Sequence, residues 1–186
     1  MDVLQHHLAT TLREQRLQRG WSLSQAAQMT GVSKAMLGQI ERAESSPTIA
    51  TLWKIATGFN LPFSTFIEPA AGDSGQPRRE SALPGYSAAG NGMQAISLFP
   101  FDPDLGFEML VIALAPGALS VSDAHEKGVT EHVIVLEGGL ELVVDGQQHY
   151  LAPGEALCFQ ADCAHSYHNG GSEIVRFHDL IHYPRR

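Results

Sequence analysis

The apolar residues of this 186-residue chain change their period once, and that change limits the folds open to it. Up to residue 68 they recur every three or four positions, the spacing of amphipathic helices. From Met93 onward they alternate or run on in short stretches, the spacing of strands. Between the two parts, residues 69–85 read PAAGDSGQPRRESALPG. Large apolar side chains are scarce there and Gly, Pro, Ser and Ala abound, which is the composition of a linker. The expected fold class is therefore α + β in two domains: an all-α unit over residues 1–68, a linker over 69–85 and an all-β unit over 86–186.

The helical unit is most informative between Gly20 and Asn60. Ser22 is a good N-cap for a helix running to about Met29, because its hydroxyl can take an orphan backbone N–H. Gly31 follows as the turn residue. Ser33 caps a second helix from Lys34 to about Arg42. Pro47 is expected in the first turn of a third helix, where proline costs least, with Ile49, Leu52, Trp53, Ile55 and Ala56 at helical spacing. Glu41 and Arg42 are expected to be structural, pairing across the small helical core, and Trp53 to be core rather than a base-stacking platform. Two short helices joined by a glycine-containing turn form a helix-turn-helix unit. Its second helix puts its N-terminal residues on base edges in the major groove.

The string GVSKAMLGQIER, followed by SPT and TLWKIA, closely resembles the DNA-binding domain of the XRE family, related to the phage lambda repressor. Leu12, Arg13, Arg16 and Gly20 fit the same pattern, and the resemblance covers roughly residues 5–67. It implies a lambda-repressor-like bundle in which Ser33, Lys34, Ala35, Met36 and Gln39 face DNA. Ser33 and Lys34 suit phosphate, Gln39 can offer a donor and an acceptor to a base, and Ala35 and Met36 suit thymine methyls. Many relatives carry glutamine at the start of the helix before the turn. Leu23 stands there here, and Ser22 and Ser24 are the residues able to replace part of that contact.

Net charge is −8, which by itself argues against nucleic acid. The charge is uneven: residues 1–68 carry +1 and the remainder −9. A near-neutral head binds DNA weakly, because affinity rests largely on phosphate neutralisation. A homodimer reading a two-fold site would compensate. The two cysteines, Cys158 and Cys163, match no zinc spacing. With no export segment and no membrane span in the sequence, a cytoplasmic protein with reduced thiols is expected.

Nine strands are expected in the second unit, at 93–98, 108–115, 118–122, 131–137, 140–144, 147–151, 155–160, 164–168 and 174–182. Tight turns separate many of them, and Asp145-Gly146 is the strongest hairpin signal. Such a pattern points to an all-β barrel or double-sheet jelly roll. His125, Lys127, Glu131 and Gly138 resemble the first cupin motif, and Gly154, Gln160, Asp162, His165 and Asn169 the second. The resemblance spans roughly residues 93–183. It implies a divalent metal held by His125, Glu131 and His165, zinc first and iron next. These are two imidazoles and a carboxylate, with Lys127 in the position of a usual fourth ligand. Gln160 and Asp162 replace the usual proline and glycine of the second motif. His132 follows Glu131 on a strand and is expected to face the other way.

An XRE-like head joined to a cupin resembles a group of bacterial regulators in which the barrel dimerises and senses a small molecule. The implied function is a sequence-specific DNA-binding regulator, with a double-stranded operator and a small-molecule effector as partners and no membrane. The effector is expected at His125, His165 and Lys127. An anion suits that set, such as an amino acid or a sulfur compound: the metal takes a donor and the ammonium a carboxylate. The flexible linker would let pocket occupancy change the spacing of two heads. The alternatives are a constitutive DNA binder whose cupin only dimerises, and a metal-dependent dioxygenase or isomerase with a DNA-binding head.

Overall fold

The computed structural model describes residues 3–68, 77–87 and 92–184. Helix α1 (Val3–Gln18) precedes the helix-turn-helix and buries Leu8, Ala9 and Leu12. Helix α2 (Leu23–Thr30) opens with a reciprocal capping box. The Ser22 hydroxyl accepts the Gln25 N–H at 3.2 Å, and the Gln25 side chain accepts the Ser22 N–H at 2.8 Å. Gly31 ends α2 with φ +67°, a left-handed conformation that glycine adopts without strain. Ser33 caps α3 (Lys34–Glu41) by accepting the Met36 N–H at 3.2 Å.

Two local expectations are corrected. Glu41 pairs with Arg16 of α1 through two hydrogen bonds of 2.6 and 2.8 Å, and Arg42 turns outward to Glu44 at 2.7 Å. The Arg16 fork comes from a helix already packed on α3, so it meets the Glu41 carboxylate in bidentate geometry. Helix α4 (Ile49–Phe59) starts at Thr48, whose hydroxyl accepts the Thr51 N–H at 3.1 Å. Pro47 therefore lies just outside the helix. A short α5 (Ser64–Ile67) completes the unit.

The second unit has ten strands: β1 (Gly85–Ser87), β2 (Met93–Asp102), β3 (Phe107–Leu114), β4 (Leu119–Ser122), β5 (Thr130–Glu137), β6 (Leu140–Val144), β7 (Gln147–Leu151), β8 (Ala156–Gln160), β9 (His165–His168) and β10 (Val175–His182). They form two antiparallel sheets, ordered β1-β2-β3-β10-β5-β8 and β4-β9-β6-β7. This double sheet is the expected jelly-roll architecture. Asp145 and Gly146 both have positive φ, 48° and 77°, as the tight β6–β7 hairpin requires. The expected strands agree with the observed ones except that β2 runs on to Asp102, and β1 lies where linker was expected to end. Of that linker, residues 69–76 lie outside the described residues. Its later part is held down: Glu80, in a single 3₁₀ turn, pairs with Arg176 of β10.

The two units share one buried core, contrary to a head hanging on a flexible tether. Glu108 of β3, fully buried, accepts the backbone N–H groups of Phe63 and Ser64 at 2.9 and 2.7 Å, and the Tyr183 hydroxyl as well. The orphan N–H groups at the start of α5 are thus satisfied by a barrel carboxylate. Tyr86 of β1 donates to the Pro47 carbonyl at 2.5 Å, and the Phe101 N–H to the Ser64 hydroxyl at 3.0 Å.

Candidate metal centre and DNA-reading face

Three side chains from distant segments meet inside the barrel. His125 sits on the β4–β5 loop, anchored by its N–H on the Ala161 carbonyl at 2.8 Å. Glu131 is the second residue of β5, and His165 the first of β9. One ligand atom from each lies within 4.8 Å of the others. The His125 Nε2 is 2.8 Å and the His165 Nε2 3.5 Å from the Glu131 Oε1. The second-motif loop, without proline or glycine at 160 and 162, is held by the Ala161 N–H on the Val129 carbonyl at 2.9 Å.

The donor chemistry fits a divalent ion. The His165 Nδ1 lies 2.9 Å from the Cys163 carbonyl, so Nδ1 donates and Nε2 carries the lone pair. That Nε2 is buried and has no hydrogen-bond partner among the described residues. A carbonyl fixing one ring nitrogen while the other points inward is the usual support of a metal-bound histidine. Burial pushes the Glu131 carboxyl up. The His125 hydrogen bond, the positive charge that His165 and His125 carry whenever they are protonated, and the Tyr167 hydroxyl outweigh it and hold the carboxyl below its usual value. A deprotonated carboxylate beside two imidazoles suits zinc or a facial-triad iron with a position left open.

Tyr167, which the motif reading missed, donates to the Glu131 Oε2. It lies two residues after His165 on β9 and so shares its inward face, which is legible in the strand period. Asp179 of β10 was also missed. It is buried, lines the same cavity, and its Oδ1 has no hydrogen-bond partner among the described residues. Burial and the nearby Glu131 and Glu108 charges push its carboxyl well above the usual value. Lys127 lies exposed on the β4–β5 loop and does not line the cavity. His132 pairs with Cys158 and Leu180, and like them is absent from the cavity lining.

On the helical unit, Ser22, Ser24, Ser33, Lys34, Ala35 and Gln39 are exposed, and Met36 is half-buried. The hydroxyls of Ser22 and Ser33 are engaged as caps. Lys34, Ala35 and Gln39 project from the first two turns of α3, the part that enters the groove in helix-turn-helix proteins.

The known proteins agree with both units. The helix-turn-helix family matches residues 12–66, and the cupin-domain family residues 110–181. The HTH-type transcriptional regulator SutR of Escherichia coli (strain K12) is 56% identical over 186 residues, covering 100% of this chain and 99% of the relative. This chain belongs to the XRE-type helix-turn-helix transcriptional regulators with a cupin domain. A crystal structure of an HTH_3-family transcriptional regulator from Vibrio cholerae superposes on this regulator with a TM-score of 0.83 at 40% identity, covering 98% of each chain. A cupin domain of an XRE-family regulator from Enterobacter cloacae matches 50% of the regulator and 99% of its own length, at 49% identity and a TM-score of 0.50. The regulator has no helix, among the described residues, long and apolar enough to cross a membrane. Both of its cysteines are free thiols.

Proposed function

We propose that this regulator binds operator DNA through residues 1–68 and senses a small metabolite at a divalent metal in residues 86–186. The observation that carries the reading is the buried, partnerless Nε2 of His165 beside Glu131 and His125. An unpaired buried nitrogen costs free energy unless something binds it. Zinc is the first candidate and iron the second. The metal supplies an open coordination position for an acidic donor. Asp179 then offers its free oxygen to a donor group such as an ammonium. An amino acid or sulfur-containing acid has that pattern of groups.

DNA contacts fall to Lys34 and Ser33 on phosphates and to Gln39, Ala35 and Met36 on bases, with Ser22 and Ser24 on the preceding helix. A homodimer in the cytoplasm fits the modest charge of the head. The outer face of the smaller sheet supports it: Leu119 and Val121 of edge strand β4 are both more than half exposed, and Tyr150 lies in the same cross-strand row as Leu119. Exposed apolar side chains along an unpaired edge suit pairing with a second copy.

The test is DNA affinity of the zinc-loaded chain on a site selected from random duplexes, with and without amino acids at millimolar concentration. The reading expects one of them to change affinity about tenfold and to raise or lower the melting temperature. If no amino acid or sulfur-containing acid moves either quantity, the sensing role fails.

A further inference from the structure

The metal site is not enclosed by the barrel alone. Trp53, from helix α4 of the DNA-binding unit, lines the same cavity as Glu131, His165 and Asp179. Its indole lies 5.0 Å from the His125 ring and stacks on Phe63 at 4.4 Å. One turn further along α4, the Thr57 hydroxyl is 3.5 Å from the His125 Nδ1. The Lys54 Nζ pairs with Asp123, two residues before His125, at 3.0 Å. With Trp53 in place the cavity measures about 10 Å³, roughly the space one water molecule needs. A metal ion can be held there, but a metabolite with two coordinating groups cannot enter beside it.

We propose that Trp53 is the removable wall of the metal pocket, so that a chelating metabolite and the docked DNA-binding head exclude each other. This rests on the metal-sensing reading above. Entry of a bidentate ligand requires the indole to leave. Because Trp53 is rooted in α4, the displacement is passed to the head directly and not through the linker. Helix α4 carries the rest of the head with it. Gly58 packs so tightly on α2 that a β-carbon there would lie 2.6 Å from the Met29 carbonyl oxygen and the Thr30 Cα. A cleft of about 100 Å³ between α2, α4 and the β4–β5 loop already leads from solvent to His125, with Met29, Thr57 and Asp123 on its walls. A ligand affects DNA binding only through its different affinity for two arrangements. Here the docked arrangement has no room for it.

The experiment uses the full chain with acetohydroxamate, a small bidentate metal ligand, as the probe. Cobalt(II) bound to the protein reports probe binding through its visible absorption. Trp53→Ala, which removes the wall, and Lys54→Ala, which breaks the ion pair to Asp123, are each expected to tighten probe binding about tenfold, read with cobalt saturating in every variant. In a zinc-loaded Trp21→Phe background Trp53 is the sole indole. Its emission is expected to move to longer wavelength, and its quenching by acrylamide to rise, as the probe saturates. Cobalt binding together with probe affinities equal to wild type and a still-buried indole overturns the inference and leaves the metal reading standing. Failure to bind cobalt overturns both.

Discussion

The Oε2 of Glu108, on a barrel strand, accepts a 2.7 Å hydrogen bond from the backbone N–H of Ser64, which opens the last helix of the DNA-binding unit. This carboxylate stitches two units that differ in fold and in sequence pattern. Glu108→Ala leaves two helix-terminal N–H groups and the Tyr183 hydroxyl buried without an acceptor. The expected loss is about 3 kcal/mol or more, since each such orphan costs on the order of 1–3 kcal/mol. Urea unfolding should also broaden or split into two transitions, because the head then loses the barrel as its partner. A single unchanged transition would show that the interface contributes little.

Lys34 stands exposed at the start of α3 and makes no ion pair among the described residues. As a phosphate contact, Lys34→Ala is expected to weaken binding to all duplexes alike and to reduce the slope of log affinity against log salt by about 1. Gln39→Ala is expected to behave differently. It should cost about 1–3 kcal/mol on the preferred site and relax discrimination at one base pair. Salt-dependent fluorescence anisotropy on specific and scrambled duplexes separates the two effects.

Asp179 gives the fold a pH dependence of definite sign. Its carboxyl titrates well above the usual value in the folded chain, through burial and the charges of Glu131 and Glu108. The unfolded chain loses that proton near pH 4. Above that pH the folded state holds more protons than the unfolded one, so this group makes stability fall as pH rises toward its folded pKa. Asp179→Asn keeps the shape and removes the titration. It is expected to flatten the slope, so that the variant gains on wild type as pH rises from 5 to 8. Chemical denaturation at pH 5 and pH 8 checks this, and an unaltered slope would assign the pH dependence elsewhere.

Gly58 lies at a close approach between α2 and α4. Gly58→Ala gains helix propensity but places a β-carbon 2.6 Å from backbone atoms of Met29 and Thr30. Overpacking of that kind costs on the order of 1–3 kcal/mol, more than the gain of about 1 kcal/mol from alanine. A lower melting temperature is expected, whereas a rise would mean that the two helices separate easily.

Much of this was legible in the sequence because it is local. Ser22, Gly31, Ser33 and the Asp145-Gly146 turn each act on neighbours a few residues away, so the residue type states the geometry. Period-two alternation located the strands, and the cupin motif placed His125, Glu131 and His165, which the barrel brings together. Pro47 was placed in the first turn of the helix but precedes its cap, because the Thr48 hydroxyl takes the Thr51 N–H. The docking of the head was not legible at all. Glu108 meets Ser64 across 44 positions, and Trp53 meets His125 across a change of fold, so no local pattern carries either contact. Trp53 was rightly read as buried, yet what it is buried against is half barrel. Lys127 was chosen by its place in a motif, and the β4–β5 loop turns it outward.

The central claim is that His125, Glu131 and His165 hold a divalent ion. Elemental mass spectrometry of protein purified without a histidine tag tests it most directly, on wild type and on a His125→Ala, His165→Ala variant whose fold is checked by circular dichroism. About one zinc or iron per wild-type chain, absent from the folded variant, is the predicted result. A wild-type chain that carries no metal and takes up none from zinc or iron(II) in excess would contradict it.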